Sequence, residues 1–257
     1  MIRHGLALSG GGALGMAHIG VLKWLEEHEV KIEYLTGVSI GAIIAALYSA
    51  GNSVERMKDF FKPIKNISLI KWRVNKTGFF DIHQFKSRLA EFIPSSSFAE
   101  LNIPLTIGVT NLNNGSAEYI SAGNLYEWIA ASCAVPMLFQ YQLINNSYYA
   151  DGGISRNLIV SPLNGKADFI ITSDLRPLEF RSIDSFKKIQ DITQRVIAIN
   201  IHKKVDDELN LADWNISMHG INRYSIYKWS QLEELVDFGY QRTEESWQHY
   251  SQQFQKK

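Results

Sequence analysis

Gly37-Val38-Ser39-Ile40-Gly41 sets a serine between two glycines, where a strand-like stretch, Ile32 to Val38, meets a helical pattern of Ile40, Ile43, Ile44 and Leu47. A serine on a sharp strand-to-helix turn has its hydroxyl lifted clear of the chain. Glycines at the flanking positions remove side chains that would collide with neighbouring backbone. The turn also sets the hydroxyl at a helix N-terminus, whose partial positive charge favours a developing alkoxide. Ser39 is therefore a candidate nucleophile. Read more plainly, the same string is a tight turn with Ser39 as an N-cap.

Gly10-Gly11-Gly12-Ala13-Leu14-Gly15 lies between the strand-like Leu6-Ala7-Leu8 and a helical pattern of Leu14, Ala17, Val21, Leu22 and Leu25. Glycines there leave backbone N–H groups bare, and an anion site of that kind suits an oxyanion. The string also satisfies the G-x-G-x-x-G of dinucleotide folds. Those folds place an acid at the far end of the second strand. Here that end is Gly37-Val38-Ser39, and the nearby Glu33 sits at the strand's beginning. A serine nucleophile needs a base. His202, His219 and His249 fall in no distinctive pattern, and His18 and His28 fit packed or surface positions on the first helix. Asp151-Gly152-Gly153, after a hairpin strand, supplies an acid with two glycines that permit close backbone approach, although Asp-Gly is also a common turn pair. His28-Glu29 begins like a zincin motif, but Ile32 stands where the second histidine belongs. The sequence thus has no metal-ligand spacing and implies no cofactor.

The elements that must position these groups read as an α/β chain. Strand, helix, strand and helix follow one another to Gly51, which suits a helix C-cap. Residues 53–97 form a helical insertion or lid. Ser53 caps a helix that Pro63 ends, and Asp81-Ile82-His83-Gln84 resembles a capping box opening a helix with Phe85, Leu89 and Ile93 on one face. Between them Ile67, Leu69, Ile70, Trp72, Phe79 and Phe80 fit no single face. Trp72, Phe79 and Phe80 are candidate acyl-binding residues or, equally, filler for a seam. Strands at Leu105–Leu112 and Ser116–Ser121 flank the turn Asn113-Asn114-Gly115, and a second hairpin spans 140–150 across Asn145-Asn146. A helix at 124–134, buried strands at Ala167–Thr172 and Val196–Ile201, and a long helix over 231–254 complete the reading. With no repeat or linker, residues 1–257 read as one domain.

Lys plus Arg equals Asp plus Glu at 26 each, with no run of like charge, which argues against nucleic acid. The single cysteine, Cys133, excludes an intramolecular disulfide. Neither a signal peptide nor a membrane-spanning segment is evident, so the expectation is a cytoplasmic protein, with peripheral membrane contact left open.

Jointly, Gly10-Gly11-Gly12-Ala13-Leu14-Gly15, Gly37-Val38-Ser39-Ile40-Gly41, Ala131-Ser132-Cys133-Ala134-Val135-Pro136 with Phe139, and Asp151-Gly152-Gly153 resemble the patatin-like phospholipase family, in the family's order. They resemble its short bacterial members and the catalytic domain of neuropathy target esterase in particular. The resemblance implies a three-layer α/β/α sandwich with a mainly parallel central sheet and a Ser39–Asp151 dyad without histidine. It also implies an oxyanion hole from the N–H groups of Gly11, Gly12 and Ala13. The implied substrates are phospholipids, lysophospholipids or other acyl esters. Leu14 departs from the family, many members of which carry Arg or Lys there. A non-catalytic lipid- or protein-binding regulator on the same fold is the alternative.

Overall fold

The computed structural model describes residues 2–63, 82–136 and 139–255. Its strands are β1 (His4–Leu8), β2 (Ile32–Val38), β3 (Leu105–Asn111), β4 (Ala117–Ile120), β5 (Gln142–Ile144), β6 (Ser147–Asp151), β7 (Phe169–Asp174) and β8 (Trp214–Ser217). They form one sheet in the order β5-β6-β3-β2-β1-β7-β8, with β4 also on β3. β3, β2, β1, β7 and β8 run parallel, and the pairings of β4, β5 and β6 are antiparallel. The helices are α1 (Met16–Glu27), α2 (Ile40–Ser49), α3 (Val54–Phe61), α4 (Ile82–Phe92), α5 (Leu125–Ser132), α6 (Ile189–Leu209) and α7 (Leu232–Gln255).

Alternation along the buried strands creates the three layers, because successive side chains leave opposite faces. Leu6 and Leu8 of β1 join the large core with α1, α2 and α7, whereas Ala7 packs on the other face with Ile170 of β7, Leu158, Val160 and Val205 of α6. α1 and α7 touch backbone to backbone. A Cβ at Gly20 would lie 2.0 Å from the carbonyl of Val236, and one at Gly239 would lie 2.0 Å from that of Ala17. Only glycine admits that approach. The C-terminal helix is thereby welded to the helix that follows the glycine cluster. Among the described residues no helix is long and apolar enough to cross a membrane.

One sequence expectation fails. Val196–Ile201 is not a buried strand but part of α6. Its β-branched residues favour strand locally, yet β7 and β8 are parallel neighbours and need a long crossover between them, which α6 supplies. The strand itself is β8, at 214–217. Both ends of the 53–97 stretch are helical as read, with Ser53 accepting from the N–H of Arg56 and Leu89 and Ile93 buried. Ile67, Leu69, Ile70, Trp72, Phe79 and Phe80 lie outside the described residues.

Candidate active site

β3 brings the two central residues together. Ladder partners on both edges of β3 put β4 on one side and β2 and β6 on the other. Val38, the last residue of β2, pairs with Gly108, and Asp151, the last of β6, pairs with the next residue, Val109. Two strands arriving from opposite directions thus end at adjacent positions on one edge. Ser39 leaves the first of them just as Asp151 closes the second.

Ser39 has φ 54° and ψ −123°, outside the regions a side-chain-bearing residue normally occupies. Strain of this kind costs on the order of 1–3 kcal/mol and persists only where surrounding structure enforces it. The enforcement is visible. A Cβ at Gly37 would meet the Gly41 carbonyl at 2.6 Å, and one at Gly41 would meet the Leu8 carbonyl at 2.3 Å. The N–H of Ser39 donates to Ser132 Oγ at 2.8 Å, and that hydroxyl donates to the Gly108 carbonyl at 2.7 Å. Although Ser39 opens α2, its side chain caps nothing there. Its Oγ donates instead to Asp151 Oδ2 at 2.6 Å.

Asp151 Oδ1 accepts the Gly153 N–H at 2.7 Å, and its backbone carbonyl accepts from Thr110 Oγ1 at 2.8 Å. Burial pushes its pKa up to about 6, against the opposing effect of the Ser39 hydroxyl and the Gly153 N–H. A carboxylate poised there is largely ionised at neutral pH yet basic enough to take a proton. Gly152 is needed for the approach, since a Cβ there would lie 2.3 Å from the Gly108 carbonyl. Burial and the charge of Asp151 both push the Cys133 thiol up, which keeps it protonated.

The glycine cluster lies beside this pair. A Cβ at Gly10 would come within 3.3 Å of Ser39 Cβ and 2.5 Å of Asn157 Oδ1; one at Gly153 would lie 2.8 Å from the same oxygen. Asn157 also donates through Nδ2 to the Gly10 carbonyl at 3.0 Å, clamping the cluster to the Asp151 turn. Below it, His18 is fully buried, with Nε2 2.9 Å from the Ser9 carbonyl and Nδ1 2.8 Å from Ser173 Oγ. A carbonyl can only accept, so Nε2 carries the proton and Nδ1 accepts from Ser173. Burial pushes His18 down to about 4, so this neutral arrangement holds at physiological pH.

Among the described residues the N–H groups of Gly11 and Gly12 meet no protein acceptor, whereas Ala13 donates to the Ile226 carbonyl at 2.9 Å. Two of the three expected oxyanion donors are therefore without a protein acceptor among the described residues, and the third is engaged by the C-terminal third of the chain. Gly12 itself has φ +59°. Leu14 is buried in the large core, with 2% exposure. Gly15 presses on α2, where a Cβ would lie 2.2 Å from Ile40.

Sequence reasoning missed Ser132, Asn157, Thr110, Ser173 and Ile226 as parts of this assembly. Ser132 had a signal, as a polar residue on the inner side of an apolar helix. Ile226 acts through a backbone carbonyl and had none. No histidine ring is hydrogen-bonded to Ser39 or Asp151 among the described residues. His202 instead meets Asp206 at 3.0 Å, and His28 meets the Trp24 carbonyl at 2.8 Å.

The model of the Patatin-like phospholipase family matches residues 6–164, more than half of the chain, including Ser39, Asp151 and the turns that carry them. The chain belongs to the patatin-like phospholipase family. Lysophospholipase nte1 of Emericella nidulans is 24% identical over 92% of this chain and 17% of that protein. The protein of the same name from Aspergillus niger is 30% identical over 68% of this chain and 12% of its own length. An uncharacterized NTE family protein of Mycobacterium tuberculosis is 29% identical over 69% of this chain and 50% of its own. The chain thus spans at most half the length of these patatin-like relatives. Two solved structures share the fold at low identity. VipD from Legionella pneumophila has a TM-score of 0.58 at 14% identity, covering 97% of this chain and 67% of that one. ExoU, in its complex with SpcU from Pseudomonas aeruginosa, has 0.53 at 15%, covering 98% and 52%.

Proposed function

We propose that this patatin-like chain is a serine hydrolase of lipid carboxyl esters that works through a Ser39–Asp151 dyad. The observation that carries the reading is the 2.6 Å hydrogen bond from a strained, buried Ser39 Oγ to Asp151 Oδ2. A turn needing only an N-cap has no use for that strain or for a raised carboxyl opposite it.

On this reading the ester is cleaved in two stages. Ser39 Oγ attacks the ester carbonyl carbon while its proton passes to Asp151 Oδ2. The carbonyl oxygen, now negative, lies against the free N–H groups of Gly11 and Gly12, which are fixed before reaction and so need no reorganisation. The tetrahedral intermediate collapses, the departing alkoxide takes the proton from Asp151, and an acyl group remains on Ser39. Asp151, ionised again, accepts a proton from water as that water attacks the acyl carbon. Collapse returns the proton to Ser39 and releases the fatty acid.

The substrate class is drawn from the relatives named lysophospholipases and from the apolar content of 64–81. Phospholipids, lysophospholipids and other acyl esters all present the required carbonyl. The test is mass-spectrometric measurement of fatty acid released from lysophosphatidylcholine, phosphatidylcholine and a soluble butyrate ester, by wild type and by Ser39→Ala. Release by wild type alone supports the reading. Absence of release from every ester, in protein whose thermal unfolding is cooperative, favours the non-catalytic regulator.

A further inference from the structure

The N-terminal half of α6 and the loop before it carry an apolar surface that nothing among the described residues covers. Phe180 is 93% exposed, Ile183 85% and Ile189 76%, and Ile192, Val196 and Ile199 continue from Ile189 as an exposed stripe. The spacing from 189 is i, i+3, i+7, i+10, one face of a helix. The C-terminal half of the same helix is anchored quite differently. Val205 is buried, and buried Glu208 accepts the N–H groups of Val160 and Ser161 at 2.5 and 2.7 Å and pairs with Arg156 at 2.5 Å. α6 is thus fixed at one end and bare at the other.

Charge decides what the bare end fits. From Arg176 to Lys204 the chain holds seven Lys and Arg against three Asp and Glu, in a protein whose total is balanced. Two of the acids are already taken up by hydrogen bonds. Glu179 accepts from the N–H of Gly220 and from Asn222, and Asp191 accepts the N–H groups of Lys187 and Lys188. Arg181, Lys187, Lys188, Lys203 and Lys204 are exposed and form no ion pair among the described residues. Apolar side chains rimmed by unpaired cations match a surface that is oily within and anionic outside.

Position points the same way. β7 ends at Asp174, on the edge of the sheet where β1 delivers the glycine cluster and β2 delivers Ser39, and α6 must return from that edge to begin parallel β8. Leu175, the first residue of the loop, packs where a Cβ on Gly11 would fall, at 2.7 Å. The bare half of α6 therefore lies at the catalytic end of the sheet.

We infer that the 180–199 surface docks the protein onto an anionic phospholipid bilayer and holds the catalytic edge of the sheet against it. This deepens the reading of the chain as a lipid hydrolase and rests on it.

The experiment is co-sedimentation of the full chain with vesicles of phosphatidylcholine alone and of phosphatidylcholine mixed equally with phosphatidylglycerol. Each assay is paired with hydrolysis of a soluble butyrate ester. Wild type is expected to sediment with the anionic vesicles and to release from them as salt rises. Ile192→Asp with Val196→Asp, or Arg181→Glu with Lys187→Glu, should reduce the bound fraction about tenfold or more, since one cation near an anionic surface contributes a factor of about five. Because these side chains are exposed and none is hydrogen-bonded to Ser39 or Asp151, unfolding temperature and butyrate turnover should not change. Equal binding by wild type and both variants overturns the inference, as does binding that ignores phosphatidylglycerol. A lipid-free dimer that Ile192→Asp with Val196→Asp dissociates also overturns it, by making a second copy the occupant. Failure of wild type on the butyrate ester would instead count against the hydrolase reading, whatever the vesicles show.

Discussion

The hydroxyl of Ser132 holds the backbone of Ser39: it accepts the Ser39 N–H at 2.8 Å and passes its own proton to the Gly108 carbonyl at 2.7 Å. One side chain from α5 thereby ties the strained turn after β2 to β3, the strand on which Asp151 also pairs. Ser132→Ala should leave a buried donor and a buried acceptor unpaired, destabilising the protein by about 1–3 kcal/mol. A nucleophile no longer held in register loses rate as well, on the order of 10²-fold for a displacement near 1 Å. Thermal unfolding and kcat on a soluble ester measure the two effects. A variant that is less stable but fully active would make Ser132 a packing residue only.

Asp151→Asn should cost at least about 10³-fold in kcat and yet raise the melting temperature. Asp151 has a folded pKa pushed from 3.8 up to about 6, so its ionisation opposes folding. The stability associated with the protonated form is fully present below the unfolded value and is lost as pH rises through about 6. At neutral pH the penalty is on the order of 3 kcal/mol. Removing the charge removes the penalty, and Asn still offers an oxygen to the Gly153 N–H. Calorimetry at pH 7 on wild type and variant checks the sign.

Activity should follow the same group in the opposite sense. kcat/KM on a soluble ester should fall as pH drops through about 6, because protonated Asp151 cannot accept the Ser39 proton. His18, near 4 and buried below the cluster, should not contribute to that limb. A profile whose acidic limb persists unchanged in Asp151→Asn would assign it to another group.

Gly12→Ala should impair the oxyanion site without touching the dyad. The added methyl would meet the Ile226 carbonyl at 2.7 Å, and φ +59° strains any side-chain-bearing residue by roughly 1–2 kcal/mol. Relief requires the turn to shift, carrying the free N–H groups of Gly11 and Gly12 with it. Losing one such donor costs about 10²–10³-fold in kcat. The measurement is kcat and KM together: a drop in kcat with KM retained marks lost stabilisation of the oxyanion, whereas unchanged kcat would show that these amides are not its donors.

The parts of the site that were legible in the sequence are those where geometry restricts residue type. Gly37 and Gly41 are glycine because a Cβ would strike the Gly41 and Leu8 carbonyls respectively, and that requirement announces the turn bearing Ser39. Strands β1 and β7 were readable because burial on both faces makes Leu6-Ala7-Leu8 and Phe169-Ile170-Ile171 short continuous apolar runs. Val196–Ile201 misled for the opposite reason: a β-branched run there is a helix face exposed at Val196 and Ile199, which local propensity cannot distinguish from a strand. Asn157 and Ser173 escaped because their importance lies in contacts across more than a hundred residues of chain.

Peptide mapping after reaction with a fluorophosphonate reads out directly whether Ser39 is the nucleophile. A single phosphonyl adduct is expected, on the peptide carrying Ser39, absent from Ser39→Ala and formed far more slowly in Asp151→Asn. An adduct on any other serine, or labelling that survives Ser39→Ala, would mean that the nucleophile is not Ser39.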